Sequence, residues 1–198
     1  MEIKIENAKA AFEMADEKTK KVLLSLLPEL KETVVQTAIN RPITERVKTF
    51  EDACRELGED HPFVLAYQNT NLRDPEVAEE NRDILAYMKL RIIAAALNEG
   101  WEPQFTEDEW RWYPWFTLWT EEELSEKSEE WKTAHALKML RPHHSSGYDG
   151  LAFASSFNAP SGSHSSVGSR LCLKSEALAT YCGTQFIDVW ADFILIYH

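Results

Sequence analysis

The sequence predicts an α+β fold, with an N-terminal helical portion packed on a small, mostly antiparallel sheet and a C-terminal helix closing one face. Three observations carry this expectation. Helix-spaced apolar stripes fill the chain up to Leu97 and return after Ser175, a run of aromatic residues suited to a strand lies between Trp101 and Trp119, and two short apolar runs flank a Ser- and Gly-rich connection after Gly150. The length of 198 residues suits a single domain, with residues 1–45 able to form a loosely attached helical arm.

From Asn7 to Leu27 the residues Ala8, Phe12, Ala15, Val22, Leu23, Leu26 and Leu27 recur at steps that give a helix one buried stripe, and Pro28 ends it or starts a new turn. The stretch Glu29–Pro42 fits a helix or a strand, because Thr33, Val34, Val35 and Ile39 are β-branched but helically spaced. A short helix follows from Thr49, an N-cap, to Gly58, a terminator. The segment Glu59–Arg73 reads as a loop leading to Asp74-Pro75, a cap and first-turn pair that opens a long helix. That helix is apolar on most sides between Ile84 and Leu97, which places it in the core, and it stops at Gly100.

Five of the seven tryptophans lie between Trp101 and Trp119. In an extended chain Trp110, Trp112, Phe116 and Leu118 share one face and Tyr113, Trp115 and Trp119 the other, so both faces need cover. The Ile84–Leu97 helix and the C-terminal helix are the expected layers. Pro114 makes this strand an edge, or its start. Thr120-Glu121-Glu122-Glu123 is a capping box for a charged helix running towards Leu140 as a surface excursion. Gly150–Phe157 and Val167–Leu173 read as a β-hairpin, and Ser175 caps a helix to about Phe193 with Leu178, Cys182, Phe186, Val189 and Phe193 on its stripe.

Composition narrows the function. An apolar share of 44% and a charged share of 27% are those of a folded globular chain. No apolar run is long enough to cross a membrane, and the charged start of the chain is unlike a signal peptide, so the expected setting is cytoplasmic. With 21 basic against 33 acidic residues the net charge is -12, which argues against general nucleic-acid binding. Acid concentrates between Glu99 and Glu130, where 11 carboxylates face two basic residues, Arg111 and Lys127. Cys54, Cys172 and Cys182, odd in number and widely spaced, read as free thiols.

Three runs carry a resemblance. Arg46-Val47-Lys48-Thr49-Phe50-Glu51-Asp52-Ala53-Cys54 is the first, and Ala96-Leu97-Asn98-Glu99-Gly100-Trp101 with Tyr113-Pro114-Trp115-Phe116 the second. The third is Val167-Gly168-Ser169-Arg170-Leu171-Cys172-Leu173-Lys174 with Tyr181-Cys182-Gly183-Thr184-Gln185-Phe186. In this order the chain resembles an uncharacterised family of small proteins from gut Bacteroides-type bacteria, their phages and mobile elements. The resemblance implies a phage or mobile-element origin and a cytoplasmic or virion setting. It implies no activity, cofactor or catalytic residue.

Several constellations are candidates for chemistry. His143, His144, Asp149 and His164 could converge on a divalent metal or build a hydrolase site, but their spacing matches no ligand pattern, and solvated loop histidines are the favoured reading. Ser161, Ser163, Ser165 and Ser166 beside His164 lack the strand–turn–helix context of a nucleophile elbow. Cys172 shares a strand face with Arg170 and Lys174 if that segment is extended, which could perturb its thiol, although buried cysteines are usually inert. Glu107-Asp108-Glu109 and Glu121-Glu122-Glu123 read as helix starts rather than catalytic pairs. The aromatic strand remains, with Trp112, Tyr113, Trp115 and Trp119 either core or an exposed binding patch. The expected function is therefore an interaction protein with an unidentified protein partner and no cofactor. A hydrolase with a His/Asp site and an acidic mimic of nucleic acid that blocks a nuclease are the alternatives.

Overall fold

In the computed structural model, which describes residues 4–104, 106–140, 148–159 and 168–195, the first helical stripe is broken in two. Helix α1 (Ile5–Met14) stops before Asp16, and α2 (Glu17–Leu26) begins there because the Asp16 carboxylate accepts a hydrogen bond from Thr19 N at 2.7 Å. The expected continuous helix thus gives way to a cap inside its own periodic pattern. Pro28 opens α3 (Pro28–Ile39), which settles the ambiguous segment as helix, and α4 (Ile43–Arg46) follows. These helices belong to one compact unit, residues 1–46, in which α1, α2 and α3 pack on one another.

Residues 47–198 form the second unit. Helix α5 (Phe50–Leu57) has the expected ends. The Thr49 side chain accepts from Asp52 N at 3.1 Å, Asp52 Oδ2 accepts from Thr49 N at 2.9 Å, and Gly58 leaves the helix at φ 91°. The supposed loop after it contains α6 (Pro62–Asn69), capped by His61, whose Nδ1 accepts from Phe63 N at 3.2 Å. A 3-10 turn at Asn71–Arg73 leads to α7 (Pro75–Ala78), which Asp74 caps as expected. The long helix starts afresh as α8 (Arg82–Asn98) after Asn81 leaves helical geometry, and it ends where Glu99 (φ 50°) and Gly100 (φ 83°) adopt left-handed conformations.

Strand β1 (Arg111–Trp119) is followed by α9 (Glu121–Ser125), α10 (Glu129–Ala134), β2 (Lys138–Met139), β3 (Gly150–Ala159), α11 (Glu176–Gln185) and α12 (Ile187–Ile194). The predicted charged helix to Leu140 is therefore two short helices and a strand. Ser128 Oγ accepts from Trp131 N at 3.1 Å and restarts the helix, and Ala136 at φ 48° turns the chain into β2. The C-terminal helix is likewise split, at Phe186, although its apolar stripe continues across the break.

The α+β class holds, with an antiparallel sheet in the order β1-β3-β2. Arg111 pairs with Ala159 at one end and Trp119 with Gly150 at the other; Ala154 is an extra residue where the register shifts between Trp115 and Phe116. Among the described residues the predicted hairpin does not form. Its first strand is β3, which pairs with β1 and β2. Within the described part of the second run, Ser169–Leu171 is a 3-10 turn that joins the sheet only through a bridge between Leu173 and Trp112. Nine residues of β1 offer β3 a longer apolar ladder than the few apolar residues around Leu171 could, so pairing distant in sequence wins.

Alternation places Phe116 and Leu118 against Leu151, Ile187 and Ala191, so α11 and α12 close that face of the sheet. Gly183 lets α11 come close, because a Cβ there would meet Phe153 Cδ2 and Pro114 Cβ at 2.7 Å each. Helix α8 is central to the core through Leu90, Ile92, Ile93 and Leu97, but it packs chiefly on α12, α5 and α6. It does not supply the expected layer on the strand's second face. That face is covered in two pieces. At its C-terminal end Leu124 and Leu137 press on Gly150, and at its N-terminal end Arg111 and Tyr113 are buried beside Cys172.

Candidate functional site

The four aromatic candidates meet different fates. Tyr113 is buried at 3% exposure, and Trp112 is half-buried and tied to Leu173 by N···O contacts of 3.0 and 2.9 Å. Trp119 is half-buried in a cluster with Trp131, 5.2 Å away edge-on, and Lys127 Nζ lies 4.5 Å from its ring centroid. Trp115 alone of the four is open, at 55% exposure, with the 40% exposed Phe157 at a centroid separation of 6.4 Å. The predicted patch of four is therefore a two-ring patch between the two covers. Phe157 joins it because its partner across the ladder is Tyr113, which puts it on the same face as Trp115.

Of the metal candidates, His143, His144 and His164 lie outside the described residues, as do Ser161, Ser163, Ser165 and Ser166. Asp149 has a structural task. Its Oδ2 accepts from Glu121 N at 2.8 Å at the start of α9, while its own N donates to Trp119 O. Among the described residues no three His, Cys, Asp or Glu side chains gather as a metal site would require.

The expected neighbours of the Cys172 thiol also change. Lys174 turns away to Glu99 Oε2 at 2.9 Å, and the cation near the sulfur is Arg111. Burial pushes the Cys172 thiol up to about 11 despite that guanidinium, and pushes Cys182 up to about 12, so both are protonated at neutral pH. Several carboxylates of the acidic region are occupied locally. Glu109 accepts from Gln104 N at 2.7 Å, Glu123 caps α9, and Glu129 pairs with Lys132.

A second site was not legible in the sequence. A cleft of about 740 Å³ opens between the start of α6, the middle of α8, the chain after Gly100 and the 3-10 turn at Ser169. Arg91 and Asn98 reach it from α8. Asn98, 5% exposed, fixes one wall: its Nδ2 donates to Cys172 O and its Oδ1 accepts from Lys174 N, both at 2.9 Å. Arg91 lies over the Phe63 ring, with Cζ 3.9 Å from the centroid, while its buried Nε meets no acceptor among the described residues. Leaving such a donor unsatisfied costs about 1–3 kcal/mol or more. His61, whose Nδ1 is used in capping α6, lines the same cleft. No motif marked this site in the sequence, where His61 falls in a segment read as a loop; its lining residues come from segments far apart in the chain.

Compared with family models, with curated proteins and with solved structures, the chain matches none.

Proposed function

We propose that the protein is a binding protein that docks a basic segment of a partner protein on the open face of its sheet, with Trp115 and Phe157 as apolar anchors. The exposure of Trp115 at 55% beside Phe157 carries this reading, since a packed core would have covered both rings. Large aromatic side chains bring contact area at small conformational cost, which is why they dominate binding hot spots. Charge selects the partner. Exposed carboxylates flank the strand at both ends, Glu107 and Asp108 before it and Glu121, Glu122, Glu126 and Glu130 after it, and the chain as a whole carries -12. An apolar patch on a strand with exposed acid at both its ends is complementary to an apolar anchor flanked by Lys and Arg.

Selection of a displayed random peptide library against the purified protein tests this. Enriched peptides should carry an aromatic or aliphatic anchor among basic residues, bind more weakly as salt rises, and lose at least about tenfold in affinity to Trp115→Ala. No enrichment, acidic consensus sequences, or equal binding to Trp115→Ala each contradict the proposal.

A further inference from the structure

We infer that the cleft between α6, α8 and the Ser169 turn binds a small organic anion, a planar ring bearing a carboxylate or a phosphate, with Arg91 and Arg170 holding the charge and Trp101 lining the ring. This site shares no residue with the Trp115 face and stands independently of it.

The argument begins with charge. The chain has 33 acidic residues for 21 basic ones, so a guanidinium has many chances to pair, and Arg55 and Arg82 do pair with carboxylates. Arg91 and Arg170 both line the cleft and form no ion pair among the described residues. Glu102 is the one carboxylate on the lining, so the two guanidinium groups leave a net positive charge there. The nearest carboxylates off the lining do not cancel it, because Glu99 is matched by Lys174 and Glu109 by Arg111 around the Cys172 sulfur.

Geometry agrees with charge. Arg91 Cζ lies 3.9 Å from the Phe63 ring centroid, a cation–π contact that supplies no lone-pair acceptor to the guanidinium N–H groups. The Nε is sealed and without an acceptor among the described residues, so it is the outer guanidinium nitrogens, not among the sealed atoms, that a ligand in the cleft would meet. His61 also lines the cleft, and the cap of α6 uses only its Nδ1. The Cys172 thiol does not compete for the cations, since it donates to Ser169 O at 2.9 Å. Trp101, half-buried, supplies a flat apolar wall. A volume of about 740 Å³ falls in the range of small-molecule sites, and the Asn98 hydrogen bonds hold the wall in place before a ligand arrives.

Titration calorimetry on the full chain, with Trp fluorescence alongside, tests the inference. The probes are adenosine 5′-monophosphate, 2-naphthoate, adenosine and inorganic phosphate. At least one of the two ring-bearing anions should bind with a Kd below about 1 mM, and which of them does so identifies the head group; adenosine and free phosphate should be at least about tenfold weaker. Arg91→Gln and Arg170→Gln should each weaken the bound anion by about tenfold, with Trp115→Ala unchanged. Arg170 is exposed, so its variant keeps the test valid if Arg91→Gln fails to fold. No binding of either ring-bearing anion, equal binding of free phosphate, or unchanged affinity in Arg170→Gln would overturn the inference.

Discussion

Trp115 and Trp110 are the two described tryptophans that solvent reaches most freely, at 55% and 52% exposure, whereas Trp190 is sealed at 2%. Acrylamide quenching should therefore remove a distinct part of the emission. The double variant Trp110→Phe/Trp115→Phe should lose most of that quenchable part, with the sealed emission retained; iodide should quench less well than acrylamide because the surface is acidic. Asp52 illustrates a different kind of local control. Burial works against its charged form, but the N–H groups of Lys48 and Thr49 and the Thr49 side chain outweigh burial and hold the carboxyl below the ordinary aspartate value. A carboxyl depressed in the folded state stabilises fully above its unfolded pKa of about 3.9, and that stability is lost as pH falls through the folded value. Urea midpoints measured below pH 4 should accordingly fall less steeply with pH in Asp52→Asn than in the parent. Thr49→Ala should cost about 1 kcal/mol at neutral pH, from the lost cap.

Helix ends were readable because a cap is a local event. Thr49 with Asp52, Thr120 with Glu123, and Ser175 with Leu178 all form the bonds their spacing predicts. Breaks inside a periodic stripe were not readable. Asp16 and Phe186 interrupt helices whose apolar residues keep their spacing on both sides, so periodicity alone registers one helix in each case. The strand partner of β3 was hidden for another reason, since nearness in sequence favours a hairpin while burial of the β1 aromatics favours a distant pairing. The contact of α11 with the sheet depends on Gly183. Gly183→Ala would raise helix propensity, yet its methyl would overlap Pro114 and Phe153, and overpacking of this kind costs about 1–3 kcal/mol. Chemical denaturation should show a net loss of stability; a gain would mean that the helix can retreat from the sheet.

The folded second unit guards its chemistry as a whole. Cys172 and Cys182 are buried and protonated, while Cys54 is half-buried on α5 with its thiol also pushed up by burial. A disulfide reagent at pH 7.5 should modify Cys54 slowly and the other two only on global unfolding, so that three thiols react in guanidinium and at most one in buffer. The composition, the fold class, the caps and the central place of α8 were all written in the chain, because each follows from local propensity or from the count of apolar and charged side chains. Tertiary packing alone decided which of four aromatic candidates stays open, since that depends on what lies over each ring. It also decided that His61, Arg91, Trp101 and Arg170 share one cleft, since residues so far apart in the chain become neighbours only when α6, α8 and the Ser169 turn close around the same space.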